Sequence, residues 1–348
     1  MIISTQALFV AIGVHPAGLA AAATHWIWKD GVGQAVGAIL LVTQSSSMSS
    51  SFDASPKSWR MCAAIALDLA ALLEVTAAGI VAVSEHSEQH MLVLALACTA
   101  GLLKNVGFLT ASASRAALHH ALAQSHNLGD VTAKSGSQSM IAGLMGTAIG
   151  LGILAPLCQE GGVVVLGSVY TTLVGIHQLG NYYAVGAVAL THLNPVRLEI
   201  VVRKFLETGD VLTPEDVASL EPVLISPTAL PRGLFIGKGM AIHQHNQQTD
   251  QMLRRKNFVT TVYRGRVYLT FGHNATSQTQ IAGFVSAMRL VLPSTNEHGA
   301  CGAFQGDRVV SNRLLDLLVA AGWRVSFTNL EFGSATKLQV LEDASNNP

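Results

Sequence analysis

The longest pattern in the chain runs from Asn127 to Cys158. It opens on a polar turn carrying Asp130, Lys134 and Gln138, then holds no Asp, Glu, Lys or Arg from Ser135 to Gln159, 25 positions. After the single charge Glu160, another 36 positions, Gly161 to Val196, are equally free of charge. About 20 apolar residues in a helix span the hydrocarbon core of a bilayer. The middle of the protein therefore reads as a hydrophobic hairpin with a polar, charged entry. Upstream, residues 61–83 and 91–103 are two further apolar runs, and 104–126 is a helix-like stretch rich in Ala and Ser. Residues 31–43 are apolar but short, which suits a re-entrant or interfacial piece. Residues 1–23 are apolar and interrupted by Pro16, which divides or kinks a helix. Trp26 and Trp28 beside Lys29 suit a membrane–water boundary, where indole rings settle.

The pattern changes after residue 196. Thr213-Pro214-Glu215-Asp216 predicts a helix start, with Pro at the first position and acids in the first turn. Residues 223–257 read as a linker. NFVTTVYRGRVYLTFG alternates and is rich in β-branched and aromatic residues, predicting a strand pair. Helices are expected at 277–291 and 308–321, and strands at WRVSFTN and ATKLQVLE. The fold class expected is mainly α: a helical membrane-embedded bundle over 1–222, the linker, and a small α+β domain over 258–343.

Composition sharpens this division. Charged residues make up 12% of the 348 positions, and the mean hydropathy is +0.41, against about 25% charged in a typical soluble domain. Residues 1–196 carry 14 Asp, Glu, Lys and Arg, and 197–348 carry 28. The other reading of such a pattern is a large helical protein with a deeply buried core. Net charge is zero, so no overall basic field recruits nucleic acid. Arg254, Arg255 and Lys256, with Arg264 and Arg266, are placed to touch anionic headgroups or to form a solvated face. The four cysteines are isolated, giving neither a zinc spacing nor a disulfide framework. The start lacks a basic n-region and a cleavage site, so no secretory signal is expected. No Walker loop, GxSxG or HExxH occurs. Placing Lys57 and Arg60, then Lys104, Arg115 and Lys134, then Arg197, Arg203 and Lys204 on one side gives four crossings, with Glu85, Glu88 and Glu160 opposite.

A few residues stand out as candidate chemistry. Asp68 and Glu74 lie inside an apolar run, and an acid at membrane depth normally faces a bundle interior or a wet cavity. Six positions apart, they do not share a helix face, so each either meets a neighbouring helix or forms part of a polar site. At Asn127-Leu128-Gly129-Asp130, Gly129 suits a left-handed helix end and Asp130 an N-cap. Asp130 and Lys134 form an i, i+4 acid-to-base pair. Gln138, Ala142, Gly146 and Gly150 continue that row with small residues that admit a neighbouring backbone. His119 and His126 share a helical face beside His120, but a metal site needs further ligands, and none is expected.

Several stretches together resemble the root UVB sensitive family, also known as the domain of unknown function 647 family. They are THWIWKDGVGQAVGAIL, FDASPKSWRMCAAIALDLAALLE, KNVGFLTASASRAALHHALAQSHNLGDVTAKSGSQ and LTHLNPVRLEIVVRKFLETGDVLTPEDVASLEPV. The likeness is collinear over roughly residues 1–225. It implies a membrane-associated protein whose relatives act in ultraviolet-B responses, seedling development, auxin transport and vitamin B6 homeostasis, with no established catalytic residues; the four crossings read from the charge pattern make it multi-pass. The positions that carry over are Lys104, Asn105, Arg115, Asn127, Gly129, Asp130, Lys134 and Gln138. The expected partners are the lipid bilayer and another membrane protein or family paralogue, without nucleic acid. Three functions are compatible: a non-enzymatic membrane protein that uses no cofactor; a carrier for a small polar metabolite such as a B6 vitamer, with Asp68, Glu74, Lys134 and Arg115 lining its cavity; and a pyridoxal-phosphate-binding protein with Lys134 as the Schiff base.

Overall fold

The computed structural model describes residues 52–83, 90–123, 126–224, 230–237, 257–272, 274–292, 306–328, 330 and 337–338, with residues 31, 34, 35 and 39. The expectations for 1–23, for Trp26 and Trp28, for the loop at 84–89 and for Arg254, Arg255 and Lys256 fall outside these residues, as does most of 31–43. The chain forms two compact units, one of residues 1–45 with 56–185, the other of 46–55 with 186–348. It is mainly α, with the strands in the second unit.

In the first unit, α1 (Pro56–Val83) and α2 (His90–Leu122) pack along most of their length. Their buried positions recur every three or four residues, as a helix stripe must: Ala63, Ala70, Glu74 and Ala77 on α1, and Val93, Ala97, Ala100, Ala111, Ser114 and Leu118 on α2. These side chains are mostly Ala or smaller, so the backbones approach closely, the mode that apolar helices use where lipid removes the hydrophobic driving force. Gly107 is a point of close approach. A Cβ there would sit 3.0 Å from Cγ and Cδ2 of Leu67 and 3.4 Å from the Ala63 carbonyl oxygen. Gly107→Leu is expected to cost about 1–3 kcal/mol by overpacking, measured as a lowered melting temperature in detergent. A melting temperature equal to that of the parent would show that the two helices separate freely at this point.

Residues 91–122 thus form one helix rather than a short span followed by a second piece. Lys104 lies inside it, so it leaves the set of basic loop residues on which the four-crossing topology was based.

Next, α3 (Leu128–Ile149) runs through a π-helical turn, Gly150–Leu154, into α4 (Ala155–Gly186). The helical run breaks at Gly162, φ 64° and ψ −158°, a conformation in reach of glycine alone. This lies beside Glu160, where the sequence places the turn of its hairpin. Hydroxyls in this apolar stretch bond back to their own helix: Ser139 to the Ser135 carbonyl at 2.9 Å, Thr147 to Gly143 at 2.9 Å, Thr171 to Gly167 at 2.8 Å. None of them then needs water.

Three described helices are long and apolar enough to cross a membrane: Pro56–Ile80, Met91–Leu122 and Leu128–Leu154. In the third, only 6% of the most apolar window is buried. Met140, Ile141, Leu144 and Met145 point outward. The described residues therefore build no core around these side chains, and a bilayer is the solvent that suits them.

In the second unit, β4 (Arg266–Gly272) is the middle strand. It pairs antiparallel with β3 (Phe258–Tyr263), and parallel with β2 (Leu234–Ile236) and β6 (Lys337–Leu338). A separate parallel pair joins β1 (His192–Leu193) to β5 (Arg324–Thr328). The core gathers Leu198, Val201, Val202 and Phe205 from α5 (Pro195–Thr208), Leu269 and Phe271 from β4, Ile281, Phe284 and Met288 from α7 (Ser277–Val291), and Leu314 and Leu318 from α8 (Gly306–Ala320). Between α5 and α7, the short α6 (Pro214–Leu220) starts at a reciprocal capping box of Thr213 and Asp216. The hairpin and both late helices stand where the alternation and periodicity predict. Two placements differ. Residues 186–222, expected in the helical core, belong to this second unit, where the apolar face of α5 packs against α7 and joins the core that β4 also lines. The stretch read as a linker contains β2, whose Leu234 is buried in the same core.

Candidate functional site

In the helical unit, two acids on α1 organise the polar contacts. Glu74 is fully buried and lies 2.5 Å from Nζ of Lys104 on α2. Asp68, less than two turns earlier, takes its partners from α4. His177 Nδ1 lies 2.9 and 3.0 Å from its two carboxylate oxygens. Gln178 donates to it at 2.5 Å, and the Tyr170 hydroxyl donates to the Asp68 carbonyl at 2.7 Å. Tyr170 and His177 are seven apart, hence on one helical face. A carboxylate drawn into an apolar bundle needs such donors, because an unpaired buried charge is costly. The sequence points to Asp68, Glu74 and Lys104, but gives no sign that His177, Gln178 and Tyr170 converge on Asp68. Their only mark is polarity within a charge-free run.

The other candidate residues are placed differently. Asn105 donates to the Gly101 carbonyl of its own helix at 2.9 Å. Arg115, Asp130, Lys134 and Gln138 are exposed. The left-handed residue before α3 is His126 (φ 66°), not Gly129, and Asn127 occupies the N-cap position without a side-chain cap bond. The left-handed residue thus comes before Gly129, which lies inside the helix, and Asp130 falls in its first turn, where an acid suits the helix dipole. Asp130 and Lys134 form no ion pair, as solvated side chains in an exposed pair gain little by meeting. From Gln138 to Gly146 the small-residue row meets no described neighbour, since no residue of α3 is buried and a Cβ on Gly146 would meet nothing within 4 Å; only its last member, Gly150 in the π-helical turn, is buried. The close small-residue packing occurs instead between α1 and α2. Neither Lys134 nor Arg115 is brought to Asp68 or Glu74. Among the described residues, no three His, Cys, Asp or Glu side chains gather as a metal site would require.

A second cluster lies in the unit of residues 46–55 and 186–348, where the sequence marks Arg197 only as one of the basic loop residues. Arg197 is fully buried, and its guanidinium lies 2.9 Å from Glu221. It donates to the His192 carbonyl at 3.0 Å and to the Ala54 carbonyl at 3.5 Å. Asn194 caps α5 by accepting from the Arg197 amide at 2.8 Å, while its own amide donates to the Ala54 carbonyl at 2.8 Å and to Ser55 at 3.3 Å. Two stretches of the family likeness, FDAS and HLNPVRLE, are thereby latched together. One signal was present: Arg197 stands four before Val201, in the apolar phase of an otherwise amphipathic helix.

His192 lies in this cluster with Nε2 buried and, among the described residues, without a hydrogen-bond partner. Burial, with the positive charge of Arg197, holds its pKa down at about 4, against an opposing contribution from the Asp53 backbone. The folded unit therefore keeps His192 neutral at pH values where the unfolded chain has taken up a proton. Stability is fully present above the unfolded value near 6.5 and falls as pH drops toward about 4. The full shift is worth about 3 kcal/mol. His192→Asn is expected to flatten the acid side of the stability profile across this window, read by urea unfolding at pH 7, 6, 5 and 4. Parallel profiles for the two proteins would remove His192 from the account.

Comparison with known proteins follows the same residues. Residues 1–209 match the family model described as the vitamin B6 photo-protection and homoeostasis domain. From Arabidopsis thaliana, protein root UVB sensitive 2, chloroplastic, is 25% identical over 333 residues, 92% of this chain and 73% of the relative. Protein root UVB sensitive 3 from the same plant is 32% identical over 226 residues, 64% of this chain and 48% of the relative. RUS family member 1 of Dictyostelium discoideum is 26% identical over 257 residues, 73% of this chain and 46% of the relative. The chain thus spans between about half and three quarters of the length of these relatives. No solved structure matches it. The family match takes in α1 to α4, both clusters' residues up to Arg197 and the whole of α5, and on that ground the chain belongs to the root UVB sensitive family.

Proposed function

We propose that this chain is a multi-pass, non-enzymatic membrane protein that sustains vitamin B6 homeostasis. The observation that carries this reading is the match of residues 1–209 to a family described by that role, over the same residues that hold three helices fit to cross a bilayer. The contacts of Asp68, Glu74 and Lys104 support it, since each ties one apolar helix to another as intramembrane charges do. Roles in ultraviolet-B response, seedling development and auxin transport, with a paralogue as membrane partner, belong to the same proposal. The test has two parts. Carbonate washing should leave the protein in the membrane pellet. Cells lacking the gene should show altered pyridoxal 5′-phosphate pools, restored by the intact chain. Release by carbonate, or unchanged B6 pools, would overturn the reading.

A second reading, a carrier for a small polar metabolite such as a B6 vitamer, is favoured by one observation: Asp68 meets a histidine, a glutamine and a tyrosine on a single facing helix. Proteoliposomes that accumulate pyridoxal saturably, and lose that uptake in Asp68→Asn, would establish it. Absence of uptake would leave the first reading alone. A resident pyridoxal phosphate on Lys134 fits less well, because that lysine is exposed on a helix with no buried residue, whereas an aldimine needs an enclosed site.

A further inference from the structure

One end of the sheet in the 186–348 unit carries a continuous row of guanidinium groups and aromatic rings. The β3–β4 turn consists of Arg264 and Gly265, both at positive φ, 48° and 72°, as in a type I′ hairpin. The first of these positions favours Asn, Asp or Gly, so an arginine is held there against its backbone preference. The Arg264 guanidinium lies over the Tyr263 ring at 5.4 Å. Tyr263 stands directly across the hairpin from Arg266. Arg266 lies over the ring of Phe235 at 5.4 Å, and Phe235 stacks on Tyr268 at 5.3 Å. Arg264, Arg266 and Phe235 are exposed, as is Arg232 at the entry to β2. Residues 230–237 and 257–272 hold these three arginines and no Asp or Glu. Among the described residues, no ion pair engages any of the three.

We propose that this row is a docking surface for an anionic bilayer surface. Guanidinium forks match phosphate groups, and aromatic rings settle at headgroup depth. The inference rests on the reading of the chain as membrane-embedded. Single-stranded nucleic acid also meets rings and arginines in alternation. The bilayer is favoured because the same chain carries three helices suited to cross one, and its zero net charge provides no field to draw a polyanion from solution.

The full chain in phosphatidylcholine nanodiscs is to be compared with the chain in nanodiscs that also contain phosphatidylserine, by amide hydrogen exchange of residues 262–268. The phosphatidylserine discs should slow exchange by about fivefold for each arginine engaged, and high salt should erase the difference. Arg264→Asn tolerates the left-handed turn, so its hairpin should be as protected as the parent's in phosphatidylcholine while losing about fivefold of the increment. Arg266→Gln should lose a similar share. Equal exchange in the two discs, retention of the increment in both variants, or stronger protection by a single-stranded oligonucleotide would each overturn the proposal. Failure of the chain to enter nanodiscs would overturn the membrane reading instead. The same comparison with added vesicles would then decide the docking surface.

Discussion

Arg197→Met is expected to destabilise the 186–348 unit by about 3–5 kcal/mol, the cost of removing one partner from a buried ion pair. The geometry explains the size. Side-chain exposure is 1% for Arg197 and 7% for Glu221, so the carboxylate loses its guanidinium without gaining water. The same change removes the bonds to the His192 and Ala54 carbonyls. A double variant, Arg197→Met with Glu221→Leu, should recover most of the loss, because a pair replaced together by apolar groups leaves no orphaned charge. Urea unfolding gives the magnitude, and proteolysis near residues 52–55 reports whether the latch to Asn194 opens. A loss below about 1 kcal/mol, the scale of an exposed pair, would mean that Glu221 reaches solvent.

The second large effect is expected at Lys104→Met. Glu74 on α1 is fully buried, and the substitution removes its ammonium partner on α2. The helix pair should lose about 3–5 kcal/mol, read as thermal or denaturant unfolding in detergent and as separation of labels placed on α1 and α2. Glu74→Gln combined with Lys104→Met should restore most of this, since a neutral amide needs no counter-ion. If the single variant melted with the parent, the pair would contribute nothing to helix association, and its place in the bundle would need another cause.

These two pairs also show how far the primary structure leads. The apolar runs at 61–83, 91–103 and 135–159 are visible because hydrophobic length is a one-dimensional property, whereas the continuity of the helix from Met91 to Leu122 is not. The hairpin at 258–272 and the helices at 277–291 and 306–320 are visible because period two and period 3.6 are local. Thr213 could be recognised as a helix start from four consecutive residues. The identity of a partner is different in kind. Asp68 and His177 lie 109 positions apart, and Asn194 lies 140 from Ala54; no spacing rule connects them. Likewise the small-residue row on α3 and the one shared by α1 and α2 look alike as strings, and only packing distinguishes the row with a neighbour from the one without.

What the chain's residues alone determined is which segments suit lipid, which suit water, and where local turn and cap chemistry begins a helix. Each follows from solvation and from backbone preference within a few positions. Tertiary structure decided which acid meets which donor, that residues 186–222 join the strand-containing unit, and that His126 rather than Gly129 makes the left-handed turn. Those outcomes depend on contacts between distant segments, whose free energies exceed the local preferences they override.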